Sequence, residues 1–176
     1  MKTVTVTLFA INELTDEVKK KVLDKYRYIN VEDTSWWEDI YSDAKEIGLK
    51  ITSFDLDRNR HANGEFLLAA NEVAQNILNN HGESCETYKT ASSFMEDWQP
   101  VFNDYMDENS EKYESKEIED ELQEMEDNFL KSLLEDYSIM LQNQCEYLTT
   151  DEAVEETLTV NEYQFLENGK KFNLKK

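Results

Sequence analysis

Residues 113–148 read YESKEIEDELQEMEDNFLKSLLEDYSIMLQNQCEYL, and their apolar members Ile118, Leu122, Met125, Phe129, Leu133, Tyr137 and Met140 recur at steps of three and four. Steps of that size hold side chains on one stripe of an α-helix. About 33 helical residues rising ~1.5 Å each would form a rod of roughly 50 Å. The other positions are crowded with acid. From Glu117 to Asp127, ends included, there are seven carboxylates and no base. An ordinary exposed helix mixes signs, because opposite charges three or four residues apart attract. Like charges at that spacing weaken it.

Outward from this helix the acid is unevenly spread. Residues 83–156 hold 23 Asp and Glu against four Lys, a local charge of −19 out of −21 for the 176-residue chain. The first 82 residues hold 14 acids and 10 bases, and the last 20 hold two acids and four lysines. Self-repulsion on this scale opposes compaction, so a block of one sign requires a strong core or a use. It also argues against direct contact with nucleic acid or an anionic membrane, whose phosphates it would repel. Nine Tyr, eight Phe and three Trp supply the apolar area that a disordered acidic tail lacks. No run of about 18 apolar residues reads as a transmembrane helix. MKTVTVTLFA, residues 1–10, alternates and lacks the continuous apolar stretch of a signal peptide. Cys85 and Cys145 stand far apart with no CxxC, which reads as two free thiols packed as small hydrophobes in a cytoplasmic protein.

Upstream, residues 2–9 alternate Val4, Val6 and Leu8 with Thr3, Thr5 and Thr7, the pattern of a half-buried strand. Thr15, Asp16 and Glu17 open a helix carrying Val18, Val22, Leu23 and Tyr26. Ser35 caps a second, with Trp36, Trp37, Ile40, Tyr41, Ala44 and Ile47 at helical spacing and Gly48 closing it. Leu49 to Asp57 reads as a strand, and the opposite parities of Ile51 and Phe54 imply a bulge or burial on both faces. Asn63-Gly64 marks a turn, with Glu65 to Leu68 pairing back. Ala69, Val73, Ile77 and Leu78 outline a helix stopped by Asn80-His81-Gly82. Ser84 caps another through Tyr88, Ala91, Phe94, Met95 and Trp98, which Pro100 bends or ends before Val101, Phe102, Tyr105 and Met106. Residues 107–112 form the break before the long helix, and Thr150 caps one more short helix. Asn168-Gly169, between Tyr163 and Phe165 on one side and Phe172 on the other, signals a hairpin. The expected fold is α+β, a small antiparallel sheet packed by helices, with a long acidic helical region. Its segments are an α+β core over 1–82, acidic helices over 83–160, and a hairpin over 161–176 that is a candidate to join the sheet of the N-terminal strand.

Few motifs carry chemistry. Asp55-Leu56-Asp57-Arg58-Asn59 begins like a calcium loop, but Arg60 stands where the glycine is needed and Phe66 where the bidentate acid is needed. His61 and His81 form no HExxH pattern and have no cysteine pair beside them, so no zinc site is expected. There is no GxSxG, P-loop or GxGxxG, and four glycines cannot cradle a phosphate. The expectation is a non-enzyme with no cofactor, no metal and no catalytic residue. Of Trp36 and Trp37, about 100° apart on a helix, one is expected buried and one half-exposed.

The acidic rod has mechanical content. Off its seam lie Glu117, Asp120, Glu121, Glu124, Asp127 and Glu135; Asp104, Asp107, Glu108, Glu111 and Glu114 in the preceding segment add a candidate second row. Such a row can approach the charge density of a phosphate track, one charge per ~3.4 Å along a strand. A groove lined with Lys and Arg would be drawn to it by the steering that brings it nucleic acid. The expected partner is a basic nucleic-acid-binding protein, with a second copy of this chain as a further candidate. A solvated helix face is the plainer alternative; the lack of bases in the run weighs against it.

Three stretches, TVTLFAINELTDEVKKKVLDKYRYINV at 5–31, WWEDIYSDAKEIGLKITSFDLDR at 36–58 and DEAVEETLTVNEYQFLENGKKF at 151–172, resemble a family of small phage and prophage proteins. Members are often labelled antitoxin-like components of a toxin–antitoxin stability system, or left uncharacterised. The resemblance covers most of residues 3–70 and 151–172 and brings no catalytic residues. It implies a mobile genetic element in the cytoplasm of a bacterial host. By analogy with small acidic proteins of such elements, it implies an inhibitor of host defence of anti-CRISPR or anti-restriction type. A neutraliser of a basic toxin is the alternative.

Overall fold

The computed structural model describes residues 3, 5–32, 34–111, 113 and 115–173. The described chain forms α1 (Asp16–Lys25), α2 (Glu38–Glu46), β1 (Leu49–Asp55), β2 (His61–Phe66), α3 (Ala70–Asn80), α4 (Glu86–Met106), α5 (Lys116–Leu148) and α6 (Asp151–Val160), with a short 3-10 turn at Ile11–Glu13. This is a small α+β fold, dominated by helix. It divides into a central unit, Trp37–Gln142, and a terminal unit that joins Met1–Trp36 to Asn143–Lys176. These boundaries differ from the segmentation at residues 82 and 160, because a shift in charge does not mark where side chains pack.

The central unit is built on one antiparallel hairpin. Its register slips between Ile51 and Ser53, which reconciles the opposite parities of Ile51 and Phe54 through a bulge. The hairpin turns at residues 56–60, where Asp55 Oδ1 accepts the Asp57 N–H at 2.8 Å, and not at Asn63-Gly64. Asn63 and Gly64 are strand residues opposite Ser53 and Ile51. Gly64 serves close approach: a Cβ there would lie 2.6 Å from the Lys50 carbonyl oxygen and 2.9 Å from Leu134 Cδ2 of α5. Gly48, at φ +95°, ends α2 as expected, and a Cβ on it would meet Leu68 Cδ1 at 2.7 Å.

Helices α4 and α5 run antiparallel within this unit. The Thr90 hydroxyl donates to Asp136 at 2.7 Å, the Phe94 and Phe129 rings stack at 4.2 Å, and Trp98 Nε1 donates to Glu126 at 3.2 Å. Ile118, Leu122, Phe129, Leu133 and Tyr137 are buried in one core with Ile47, Leu49, Ile77, Phe94 and Trp98. Met140 departs from the expected seam: it is 37% exposed while Leu141 is fully buried, because a stripe of four-residue steps drifts around the helix. Pro100 does not end α4. It sits on the exposed side, where the carbonyl it leaves without a donor can meet water, and Trp98 stacks on Phe102 across it at 4.4 Å.

In the terminal unit, Ile11, Leu14, Val22, Leu23, Val154, Leu158 and Phe165 form the core. The side chains of Arg27 and Asn30 accept the task of ending α5, donating to the Thr149 and Leu148 carbonyls at 3.0 Å each. Thr150 caps α6, its hydroxyl accepting from the Ala153 N–H at 3.2 Å. The expected N-terminal strand is reduced to a single bridge, Phe9 with Phe165, which in turn pairs with Lys171 across the Asn168-Gly169 turn. Thr3, Thr5, Val6 and Thr7 are exposed and unpaired in any ladder, and Val4 lies outside the described residues. Alternation expresses a preference for extended backbone, but a strand also needs an edge to pair with. Among the described residues the sheet consists of β1 and β2 alone, without the expected strands from the N-terminal segment and the C-terminal hairpin.

Three smaller expectations also change. Helix α2 starts at Glu38, not after Ser35, so Trp36 and Trp37 precede it and both are half-buried. Cys85, not Ser84, occupies the cap position of α4. Cys85 is exposed, so only Cys145 packs as a partly buried thiol, its ionisation pushed up first by burial and then by Glu146.

Candidate functional site

Five of the expected carboxylates, Glu117, Asp120, Glu121, Glu124 and Asp127, are exposed residues of α5. At about 100° per residue they fall within an arc of roughly 120°, on the side opposite Ile118, Leu122 and Phe129. The first and last are separated by ~15 Å of helix axis, or one carboxylate per ~4 Å, against ~3.4 Å per phosphate on one DNA strand. Among the described residues no base pairs with any of the five; Asp127 accepts only a hydrogen bond from Gln123 Nε2 at 2.9 Å. Lys116 and Lys131, both exposed, bracket the run. The face is rigid in origin. Its helix is held by the buried seam behind it, not by pairing between its own charges.

The remaining expected residues do not extend this row. Glu135 falls on the same arc but is taken by Arg60, whose guanidinium bonds Glu135, Gln142 Oε1 at 2.7 Å and Ser138 Oγ at 3.1 Å. Arg60 comes from the β1–β2 turn and thereby closes the arc beyond Lys131. Nothing in the one-dimensional spacing marks that partnership. Asp104 is exposed in the last turn of α4, while Asp107, Glu108 and Glu111 lie beyond its end and outside any helix, so they form no second helical row. Glu114 lies outside the described residues. Asp107 is held below the usual carboxylate range by the Asn109 backbone N–H at 2.9 Å and the Asn109 side-chain amide at 3.0 Å. It is thus committed to shaping its own turn.

The central unit holds 26 Asp and Glu against eight Lys and Arg, so it carries −18 of the total −21. An open groove of about 520 Å³ along α4 and α5 is floored by Phe94 and Phe129 and edged by Lys89, Asp97 and Asn128. Among the described residues no group of three or more His, Cys, Asp or Glu is placed to hold a metal ion, and no helix is long and apolar enough to cross a membrane. Compared with protein-family models, with curated proteins and with solved structures, the chain matches none.

Proposed function

We propose that the chain is a phage-encoded, non-enzymatic inhibitor of a bacterial defence system, of anti-CRISPR or anti-restriction type. It acts as an acidic nucleic-acid mimic that occupies the basic channel of an effector. One observation carries this reading: Glu117, Asp120, Glu121, Glu124 and Asp127 share one exposed face of α5 with no base paired to them among the described residues. Their spacing is close to that of phosphates on one strand, and a cationic channel recognises its ligand largely by backbone charge. The −18 of the central unit would add long-range attraction. The phage origin rests on the likeness of residues 5–31, 36–58 and 151–172 to phage and prophage proteins.

The test is titration of a candidate CRISPR effector or restriction nuclease at about 50 and 300 mM salt, with competing guide RNA or DNA. Affinity should fall by at least about tenfold over that range, since the screening length shrinks from about 14 Å to about 6 Å. Binding and nucleic acid should exclude each other. Reversal of Glu117, Asp120, Glu124 and Asp127 to Lys should abolish the complex. Affinity that ignores both salt and charge reversal would reject the mechanism.

A further inference from the structure

Thr90, Ser93 and Asp97 follow one another along α4 at steps of three and four, and so do Met125, Asn128 and Ser132 along α5. Each set is therefore one stripe of its helix. The two stripes wall the open groove of about 520 Å³ whose floor is the stacked pair Phe94 and Phe129. Each wall runs for about 10 Å, or roughly two helical turns. Exposed Ser93 and Ser132 contribute little bulk to the walls, which leaves the groove open.

The surroundings of the groove are acidic. Asp97 is exposed, with no base paired to it among the described residues. Lys89, on the edge, is held by Glu86 at 2.6 Å. Asp136, one turn beyond Ser132, is half-buried and accepts from the Thr90 hydroxyl at 2.7 Å; among the described residues no base is paired with it either. Burial, with Glu86 and Glu135 adding, pushes its ionisation up against that bond. A half-buried carboxylate without a counter-ion is a cost that a cationic occupant removes.

We propose that the groove between α4 and α5 docks a basic amphipathic helix of a partner protein. Its apolar residues at i, i+3 or i+4 and i+7 rest on Phe94 and Phe129, and lysines or arginines on its flanks meet Asp97, Asp136 and Glu86. The shape selects a helix. Two turns of groove match anchors at i and i+7, ~10 Å apart, and the ridges of one helix fit a channel between two others. An extended peptide needs a free backbone edge, whereas helical walls satisfy their backbone groups internally. A small molecule needs a more enclosing cavity, and nucleic acid is repelled by the same acids. Docking in this groove requires no mimicry of nucleic acid and is measured without an effector, so either reading can fail alone.

The probe is a fluorescently labelled peptide of about 14 residues, roughly four turns, with leucine at those helical spacings and lysine elsewhere. Anisotropy titration at about 150 mM salt limits attraction between distant exposed charges to ~8 Å. The parent chain should bind this peptide at least about tenfold more tightly than a scrambled isomer of the same composition, since each leucine kept off the floor forfeits about that factor. Glutamate in place of lysine, with the leucines unchanged, should weaken binding by at least about tenfold. Ser93→Phe combined with Ser132→Phe, both at exposed positions, should fill the groove and bring the amphipathic peptide down to the scrambled level. Equal binding of the isomer or of the glutamate peptide, or binding indifferent to the filled groove, would overturn the docking site. A measurement on the unaltered chain survives any failure of the variant to fold. On adding the lysine peptide, the largest amide shifts should fall at Thr90, Ser93, Asn128 and Ser132. Shifts centred on Glu117, Asp120 and Glu121 would mean plain attraction to the acidic run and would equally overturn it.

Discussion

Replacing Glu124 by Gln isolates the effect of like charge on α5. Glu124 is exposed, lies one turn from Asp120, Glu121 and Asp127, and has no salt-bridge partner among the described residues. Gln is close to Glu in size and helix propensity, so the change removes charge and little else. Three like pairs disappear, 120–124, 121–124 and 124–127. At ~0.2–0.5 kcal/mol each, the folded state should gain about 0.6–1.5 kcal/mol. Urea unfolding at low salt should show a higher midpoint with an unchanged slope. In about 1 M salt, where the screening length is ~3 Å, the gain should shrink towards zero. A variant no more stable than its parent at low salt, or one whose gain survives high salt, would refute the reasoning, because the carboxylates would then not be held one helical turn apart. The same substitution should weaken binding to the effector. A merely solvated face would show the first change without the second.

Burial raises the Asp136 carboxyl above its ordinary range against the opposing Thr90 hydrogen bond, with Glu86 and Glu135 adding to the rise. Its stabilising contribution is therefore present below about pH 4 and lost as pH climbs through the raised value. Asp136→Asn, which keeps an acceptor for Thr90, should melt higher than the parent at pH 7 and lose that advantage near pH 3. Gly64→Ala should destabilise the central unit by about 1–3 kcal/mol by urea unfolding, because its methyl meets backbone at Lys50 and the Leu134 side chain together. Phe129→Ala removes the ring that stacks on Phe94 and packs on Phe66, and should lower stability by about 3–5 kcal/mol, enough to lose the near-ultraviolet circular dichroism of the aromatic cluster at moderate urea.

The long helix was legible because its signal is local and repeated: Ile118 to Tyr137 hold the same stripe through five turns, and tertiary packing had only to accept it. The acidic face followed from the same periodicity, since whatever is not seam must point away from it. What escaped the sequence depended on partners remote in the chain. Glu135 looks like its five neighbours until Arg60 arrives from 75 residues away. Asn63-Gly64 carries the local chemistry of a turn, yet the approach of Leu134 gives the glycine a different purpose inside β2. Thr3 and Thr5 to Leu8 have strand-like alternation but belong to no ladder. Asp43, His81 and Tyr137 lie in unremarkable helical contexts, and only folding brings them to one point.

The charge on α5 and the packing of α5 are nearly independent quantities, and the proposed mimicry depends on that independence. Five like pairs at spacings of three and four, between Glu117 and Asp127, oppose the helix by about 1–2.5 kcal/mol in total. Burying Ile118, Leu122, Phe129 and Leu133 supplies about 1.5–3 kcal/mol for each side chain, several times the repulsion. The helix therefore keeps its geometry whether or not the acids are present. Opposite charges interleaved on the arc would strengthen it further at no expense to the seam. A helix selected for stability alone would have acquired them, as the Arg60–Glu135 contact shows this fold is able to do. The run from Glu117 to Asp127 contains no base, and among the described residues none of its exposed carboxylates is ion-paired. That unrelieved repulsion is the feature on which the proposal of a cationic partner rests.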